Sequence, residues 1–294
     1  MKPRKGFRLK RLLKWLGILL LAAALILYLL VPAGLGIFVV LPVRAYVGYP
    51  PQGFEEVTLQ AEDGVELKAW HRPAKNGTAI ILLHGASSSR ESVRSYAEML
   101  ARHRYGVLMV DLRGHGESKG KINRLGWQGT LDVGAAVKFL EGRSEVQAMG
   151  GLGISMGAEV LLGSASQYPS ITAIAADGAT RRSVEELLAL ESERPLVRNF
   201  TARVMYATVR LFSGQKPPKP LLDSMIESGS TRFLFIAGGG NKLEVAFNEM
   251  FAEMLGSRAD LWIAPEAEHV QAFRQYPAEY EQRVIAFFDS IYTP

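Results

Sequence analysis

The chain has 294 residues, 48% of them hydrophobic, enough for one sizeable core. It contains no cysteine, which excludes disulfides, a thiolate nucleophile and cysteine metal sites. The net charge of +5 has the wrong distribution for nucleic-acid binding: of 34 basic residues seven lie between Lys2 and Lys14 and another is Arg44, and the 26 that follow stand against 29 acidic ones, the first being Glu55.

Residues 1–14 therefore read as a basic tail. No charge follows until Arg44, and the run "WLGILLLAAALILYLLVPAGLGIFVVLPV" exceeds the roughly 20 apolar residues that cross a bilayer as a helix. It also lacks the polar face of a soluble helix. We expect a single transmembrane anchor over 15–41, with Pro32 and Gly34 bending it or marking its exit. The rival is a cleaved signal peptide, but such peptides have an apolar core of about 7–15 residues and a small-residue cleavage site, and neither is seen. The basic flank places the N-terminus in the cytoplasm and the remainder on the outer side. Residues 42–54, with "YPPQGF", read as a linker.

From residue 55 onward strand and helix patterns alternate. Glu55–Gln60 and Val65–His71 read as strands joined by a turn; Ala79–Leu83, "GVLMVD" and "VQAMGGLG" as buried strands; and "ITAIAAD", "RFLFIAG" and "ADLWIAP" as three more. Helical spacing is found over Ser89–Arg104, Trp127–Leu140, Lys242–Leu255 and Pro277–Tyr292. This alternation predicts a mostly parallel sheet with helices on both faces, one domain over 55–294. Residues 181–213 break the rhythm: Val197, Phe200, Val204 and Leu211 recur at helical spacing, predicting a helical cap over about 181–220. Phe200, Met205, Leu211 and Phe212 would suit a greasy substrate, although ordinary packing explains each of them singly.

Between a strand and a helix stands "GLGISMGAE". A serine at the apex of such a turn needs neighbours without side chains, and Gly153 and Gly157 meet that need for Ser155. The helix behind it aims N–H groups at the spot where charge develops on an attacked carbonyl. "LLHGASSS" supplies a second loop after a buried strand, so the N–H groups of Ala86 and Met156 form a candidate oxyanion hole. The serine also needs a base. Of five histidines, His71 lies in a strand, as a surface or half-buried residue; His103 is solvated among arginines; His84, with Gly85, braces the oxyanion loop; and His115 shapes the glycine-rich turn "DLRGHGES". His269 remains, in a loop beyond the carboxyl end of a strand, where ligands bind in open α/β sheets.

In this order and spacing, "LLHGASSS", "DLRGHGES", "GLGISMGAE" and "PEAEHVQAF" resemble the α/β-hydrolase superfamily over about residues 55–292, in its bacterial esterase, lipase and aminopeptidase-like branch. The resemblance implies an eight-stranded, mostly parallel sheet, a Ser–acid–His triad in chain order and a helical cap between strands six and seven. The acid departs from the pattern: where the family usually has aspartate after strand seven, this chain has Asn241. Glu244, three residues on, and Asp177, at the end of "ITAIAAD", are the two candidates; Glu266 and Glu268 lie too close to His269 in sequence. The Gly238–Gly240 run lacks the lysine of a P-loop.

The expected activity is acyl transfer to water without metal or cofactor, on a small-molecule acyl substrate, with lipid-like esters included. Two other readings stand beside it. One is an amidase or peptidase, for which Glu185, Glu186 and Glu191 are candidates to hold a substrate amine. The other is a tethered binding protein on a degenerate scaffold, to which Asn241 lends weight.

Overall fold

The computed structural model describes residues 5–41, 44–190 and 196–292. Its elements in chain order are α1 (Lys5–Leu25), a π-helical turn (Ile26–Leu30), α2 (Val31–Val40), β1 (Glu55–Gln60), β2 (Glu66–Arg72), β3 (Thr78–Leu83), a 3₁₀ turn (Arg90–Val93), α3 (Arg94–Arg102), β4 (Gly106–Val110), α4 (Gly129–Glu141), β5 (Ala148–Ile154), α5 (Met156–Leu162), β6 (Ile171–Asp177), α6 (Val184–Leu190), α7 (Leu196–Ser213), α8 (Leu221–Glu227), β7 (Arg232–Gly238), α9 (Lys242–Leu255), a second 3₁₀ turn (Gly256–Arg258), β8 (Ala259–Ala264), α10 (Ala272–Gln275) and α11 (Pro277–Tyr292).

The eight strands form one sheet in the order β1-β2-β4-β3-β5-β6-β7-β8. β2 runs antiparallel to both β1 and β4, and every pairing from β4 to β8 is parallel. The central strands are apolar on both faces because each face is covered. Ala79, Ile81 and Leu83 of β3 and Phe233 and Phe235 of β7 join a core with α4, α5, α8 and α9. Their alternates, Ile80, Leu82, Leu234 and Ile236, join a second core with α3 and α11 on the opposite face. The strand period of two thus divides one apolar sequence between two cores.

α6, α7 and α8 lie between β6 and β7, where the helical insertion is expected. The N-terminal helix is the larger surprise. It continues past Pro32 to Val40, with the π-helical turn Ile26–Leu30 just before the proline. Proline lacks an N–H and crowds the carbonyl four residues back, here Tyr28, and the wider turn accommodates both. α2 then packs along α7. A Cβ on Gly36 would lie 2.6 Å from the Met205 carbonyl oxygen and 2.7 Å from Thr208 Cβ, so only glycine permits this approach. Val39 and Val40 complete a third apolar cluster with Trp127, Tyr206 and Val209. Arg124 closes the joint: its guanidinium donates to the Phe38 and Leu41 carbonyls and stacks on the Phe38 ring.

The segment read as a linker is also held to the domain. Arg44 donates to the carbonyls of Gly116 and Ser118, the Ser89 hydroxyl donates to Tyr46, and the Gly48 N–H donates to Glu91. The helix expected over Ser89–Arg104 begins instead as a 3₁₀ turn, where the main-chain N–H and the guanidinium of Arg90 are both held by Asp111.

Candidate active site

β5 ends at Ile154 and α5 begins at Met156, leaving Ser155 alone between them at φ 52°, ψ −118°. That left-handed conformation is strained for a serine and turns its side chain clear of both elements. The flanking glycines are steric necessities: a Cβ on Gly153 would lie 2.4 Å from Ala158 N, and one on Gly157 would lie 2.5 Å from the Leu83 carbonyl oxygen. The Ser155 N–H donates to the Asp177 carbonyl at 2.7 Å, which ties the turn to β6.

The imidazole of His269 faces this turn. Its Nε2 lies 2.9 Å from Ser155 Oγ, and its Nδ1 lies 2.5 Å from Glu244 Oε2. The Glu244 carboxylate is fully buried, and its other oxygen accepts the Gly238 N–H at 2.6 Å. A buried carboxylate receiving an Nδ1–H keeps the proton on that nitrogen and leaves Nε2 free to accept from the hydroxyl. The hydrogen bond that His269 donates to Glu244, opposed by partial burial, raises the imidazole pKa above its ordinary 6.5.

The Asn241 departure has a physical explanation. Its side chain accepts the Glu244 N–H, capping α9, so it serves as the helix N-cap while Glu244 in the first helical turn reaches the histidine. Asp177, the other acid candidate, is fully buried and its carboxyl has no hydrogen bond to His269; burial pushes its pKa up to about 7. Its main-chain carbonyl is what serves Ser155.

Met156 is the first residue of α5, so its N–H has no partner within the helix. Ala86 lies across a cleft of about 490 Å³ that Gly85, Ala86, Ser88, Tyr96, Ile154, Ser155, His269 and Val270 help to line. His84 holds the Gly85–Ala86 loop in place. It donates from Nδ1 to the Gly85 carbonyl at 2.8 Å and accepts the Leu112 N–H at Nε2, and burial drives its pKa down to about 4, keeping it neutral. His115 donates to the Arg113 carbonyl, as a residue shaping its own turn. His103 meets Glu281 at 2.8 Å on the surface. His71 differs from the expectation: it is buried, edge-on to Phe139, because α4 covers its end of β2.

Other expectations are redirected. Phe200, Leu211 and Phe212 are exposed and Met205 packs against the Trp127, Tyr206 and Val209 cluster, so none of them is among the residues lining this cleft. Glu186 accepts main-chain N–H groups of Arg182, Ser183 and Leu221, and Glu185 opens on a different hollow beside Phe247; Glu191 lies outside the described residues. Two supports escape sequence reasoning. Glu159, one turn into α5, accepts the N–H groups of Thr180 and Arg181 and so ties the start of the helical insertion to the serine's helix. The buried Arg90–Asp111 pair, lying over Trp70, anchors the end of the Ala86 loop. The only signals were charges in otherwise apolar or glycine-rich surroundings.

The comparisons agree with this fold. The family model described as the alpha/beta hydrolase fold matches residues 78–290, so the chain belongs to the α/β-hydrolase family. An esterase of Pyrococcus furiosus, Pf2001, is 26% identical, with 85% of this chain and 98% of that one covered at a TM-score of 0.67. A membrane phospholipase A described as a bacterial virulence factor is similar in fold at 20% identity and a TM-score of 0.60, covering 97% of this chain and 100% of that one. An uncharacterized protein of Mycobacterium tuberculosis is 30% identical over 44% of this chain and 46% of its own length. The chain thus spans less than half the length of the curated relatives it matches first. The fold class and a hydrolase reading follow from these likenesses.

Proposed function

We propose that the protein is a membrane-anchored serine hydrolase that cleaves an ester through an acyl-enzyme, with Ser155 as nucleophile, His269 as general base and acid, and Glu244 as the buried acid. The single observation supporting this most directly is the relay of two short contacts, 2.9 Å from Ser155 Oγ to His269 Nε2 and 2.5 Å from His269 Nδ1 to Glu244. In the first stage Oγ attacks the carbonyl carbon while its proton passes to Nε2, and the Ala86 and Met156 N–H groups stabilise the oxyanion. The same proton leaves with the alcohol. Water then attacks the acyl-enzyme, giving a proton to His269, and the acid departs as Oγ is reprotonated. A metal ion or organic cofactor has no part in this scheme.

The contact of the buried Glu244 with His269, with Asn241 serving as the cap of α9, supports a complete triad over a degenerate binding scaffold. Among the described residues that line the cleft none is acidic, which gives an amidase no support. A lipid-like ester fits an anchored enzyme, and one structural relative is named as a membrane phospholipase A. The long apolar N-terminal helix supports anchoring, with the basic tail inside and residues 55–294 outside. A fluorophosphonate probe tests the class: folded wild type should be labelled and Ser155→Ala should not. Equal labelling of both proteins, or none of either, would contradict the proposal, and esters of graded chain length would then define the acyl group.

A further inference from the structure

We propose that α7 is a second membrane contact, whose exposed face docks on an anionic phospholipid surface beside the anchor; this rests on the reading of residues 15–41 as a bilayer span. Four observations support it.

The first is the exposed face itself. Leu196, Phe200, Arg203, Ala207, Arg210 and Leu211 recur at helical spacing and are all exposed, Leu196 by 86%, Phe200 by 51% and Leu211 by 77%. Large apolar residues on one helix face, interleaved with arginine, are what an interfacial helix requires. The opposite face is already occupied, since Tyr206 and Val209 are buried and Met205 and Thr208 abut Gly36.

The second is direction. Gln215, just past α7, accepts from Asn123, whose neighbour Arg124 holds Phe38 and Leu41. The C-terminal end of α7 therefore lies at the Leu41 end of α2, while α7 also contacts the Ile26–Leu30 turn. Its first turns, with Leu196 and Phe200, must lie toward that turn.

The third is length. Lys5–Val40 is one helical run of 36 residues, and about 20 residues cross the hydrocarbon core. Counting from Trp15, the Ile26–Leu30 turn falls within the outer leaflet, so a helix packed beside it must enter the membrane's outer face. Phe200 and Arg210 are ten residues apart, a rise of about 15 Å, which carries the arginine from acyl level to the headgroups.

The fourth is charge. From Leu196 to Leu222 there is no acidic residue and there are five basic ones, Arg198, Arg203, Arg210, Lys216 and Lys219, the last paired with Glu227. Arg210, Lys216 and Lys219, at and beyond the C-terminal end of α7, form a cationic collar at headgroup level, which matches anionic lipid.

The absence of native cysteine permits single-site labelling of the full chain. Leu20→Cys in the span, Phe200→Cys and Leu211→Cys on α7, and Met254→Cys on the exposed face of α9 would each carry a nitrobenzoxadiazole label. The four proteins would be placed in phosphatidylethanolamine–phosphatidylglycerol nanodiscs. Labels at 20 and 200 should be quenched by doxyl lipids, the label at 211 more weakly, and the label at 254 by aqueous iodide alone. Lipid quenching at 20 with iodide quenching at 200 would overturn the α7 contact while leaving the anchor intact. Iodide quenching at 20 would remove the anchor and the contact together. A label at 200 shielded from both quenchers would overturn the lipid contact, because protein, such as a second copy of the chain, would then cover this face. In Arg203→Gln or Arg210→Gln discs the docked-to-undocked ratio at 200 should fall by about fivefold; an unchanged ratio there and in phosphatidylcholine discs would overturn the choice of an anionic surface.

Discussion

Asn241 caps α9, and Glu244, three residues on, meets His269. Glu244→Gln should lower kcat by about 10⁴-fold, because an amide cannot balance the imidazolium that forms in the transition state. Asp177→Asn should stay within tenfold of wild type, since the main-chain carbonyl that holds Ser155 is retained. A reversal of these two results would move the acid to β6. The pH profile carries an independent sign. His269 accepts a proton only when neutral, and its pKa lies above 6.5 chiefly through Glu244. kcat/KM should therefore rise with pH through a value above 6.5, and the residual activity of Glu244→Gln should rise at lower pH. The stability linked to this histidine has the opposite sense: it is complete below the unfolded value and fades as pH climbs through the folded one. Ser155 and His269 were legible in the sequence, one from its glycine fence and the other from its position past a strand end. The choice between Glu244 and Asp177 was not, because it depends on which carboxylate the folded loops bring to Nδ1.

Among the elements, the turn between β5 and α5 is the least tolerant of change. Gly157→Ala would drive a methyl group against the Leu83 and His84 carbonyls of the strand that leads into the Ala86 loop. We expect about 1–3 kcal/mol of destabilisation and a larger loss of kcat, measured by urea denaturation beside turnover; full activity with unchanged stability would refute the steric account. The sheet was readable because buried strands bounded by glycine and acid are local patterns. Two features were not. The 3₁₀ start before α3 depends on Asp111 gripping Arg90 from another strand. The seating of α2 on α7 depends on Gly36 meeting Thr208, a match between segments far apart in sequence.

For the whole molecule, the N-terminal helix is a mount and not a tether. Its last turns are sheathed by α7 and held by Arg124, and the following segment is bonded to the Asp111–Ser118 turn and the Ala86 loop. The catalytic cleft would therefore keep a fixed height above a bilayer that holds α1. Carbonate-washed membranes should retain the full-length chain, and recovery of a shortened soluble form would show cleavage instead. The sequence predicted a long apolar helix, but not the packing of its C-terminal turns on α7, because the residues that sheathe it look in isolation like an ordinary amphipathic helix.

The relay from Ser155 to Glu244 is tested most directly by trapping the acyl-enzyme. Protein mixed briefly with a p-nitrophenyl ester, quenched in acid and digested, should carry one acyl group on Ser155, and Glu244→Gln should accumulate it more slowly. An acyl group located on another residue, or ester turnover that persists in Ser155→Ala, would contradict the account.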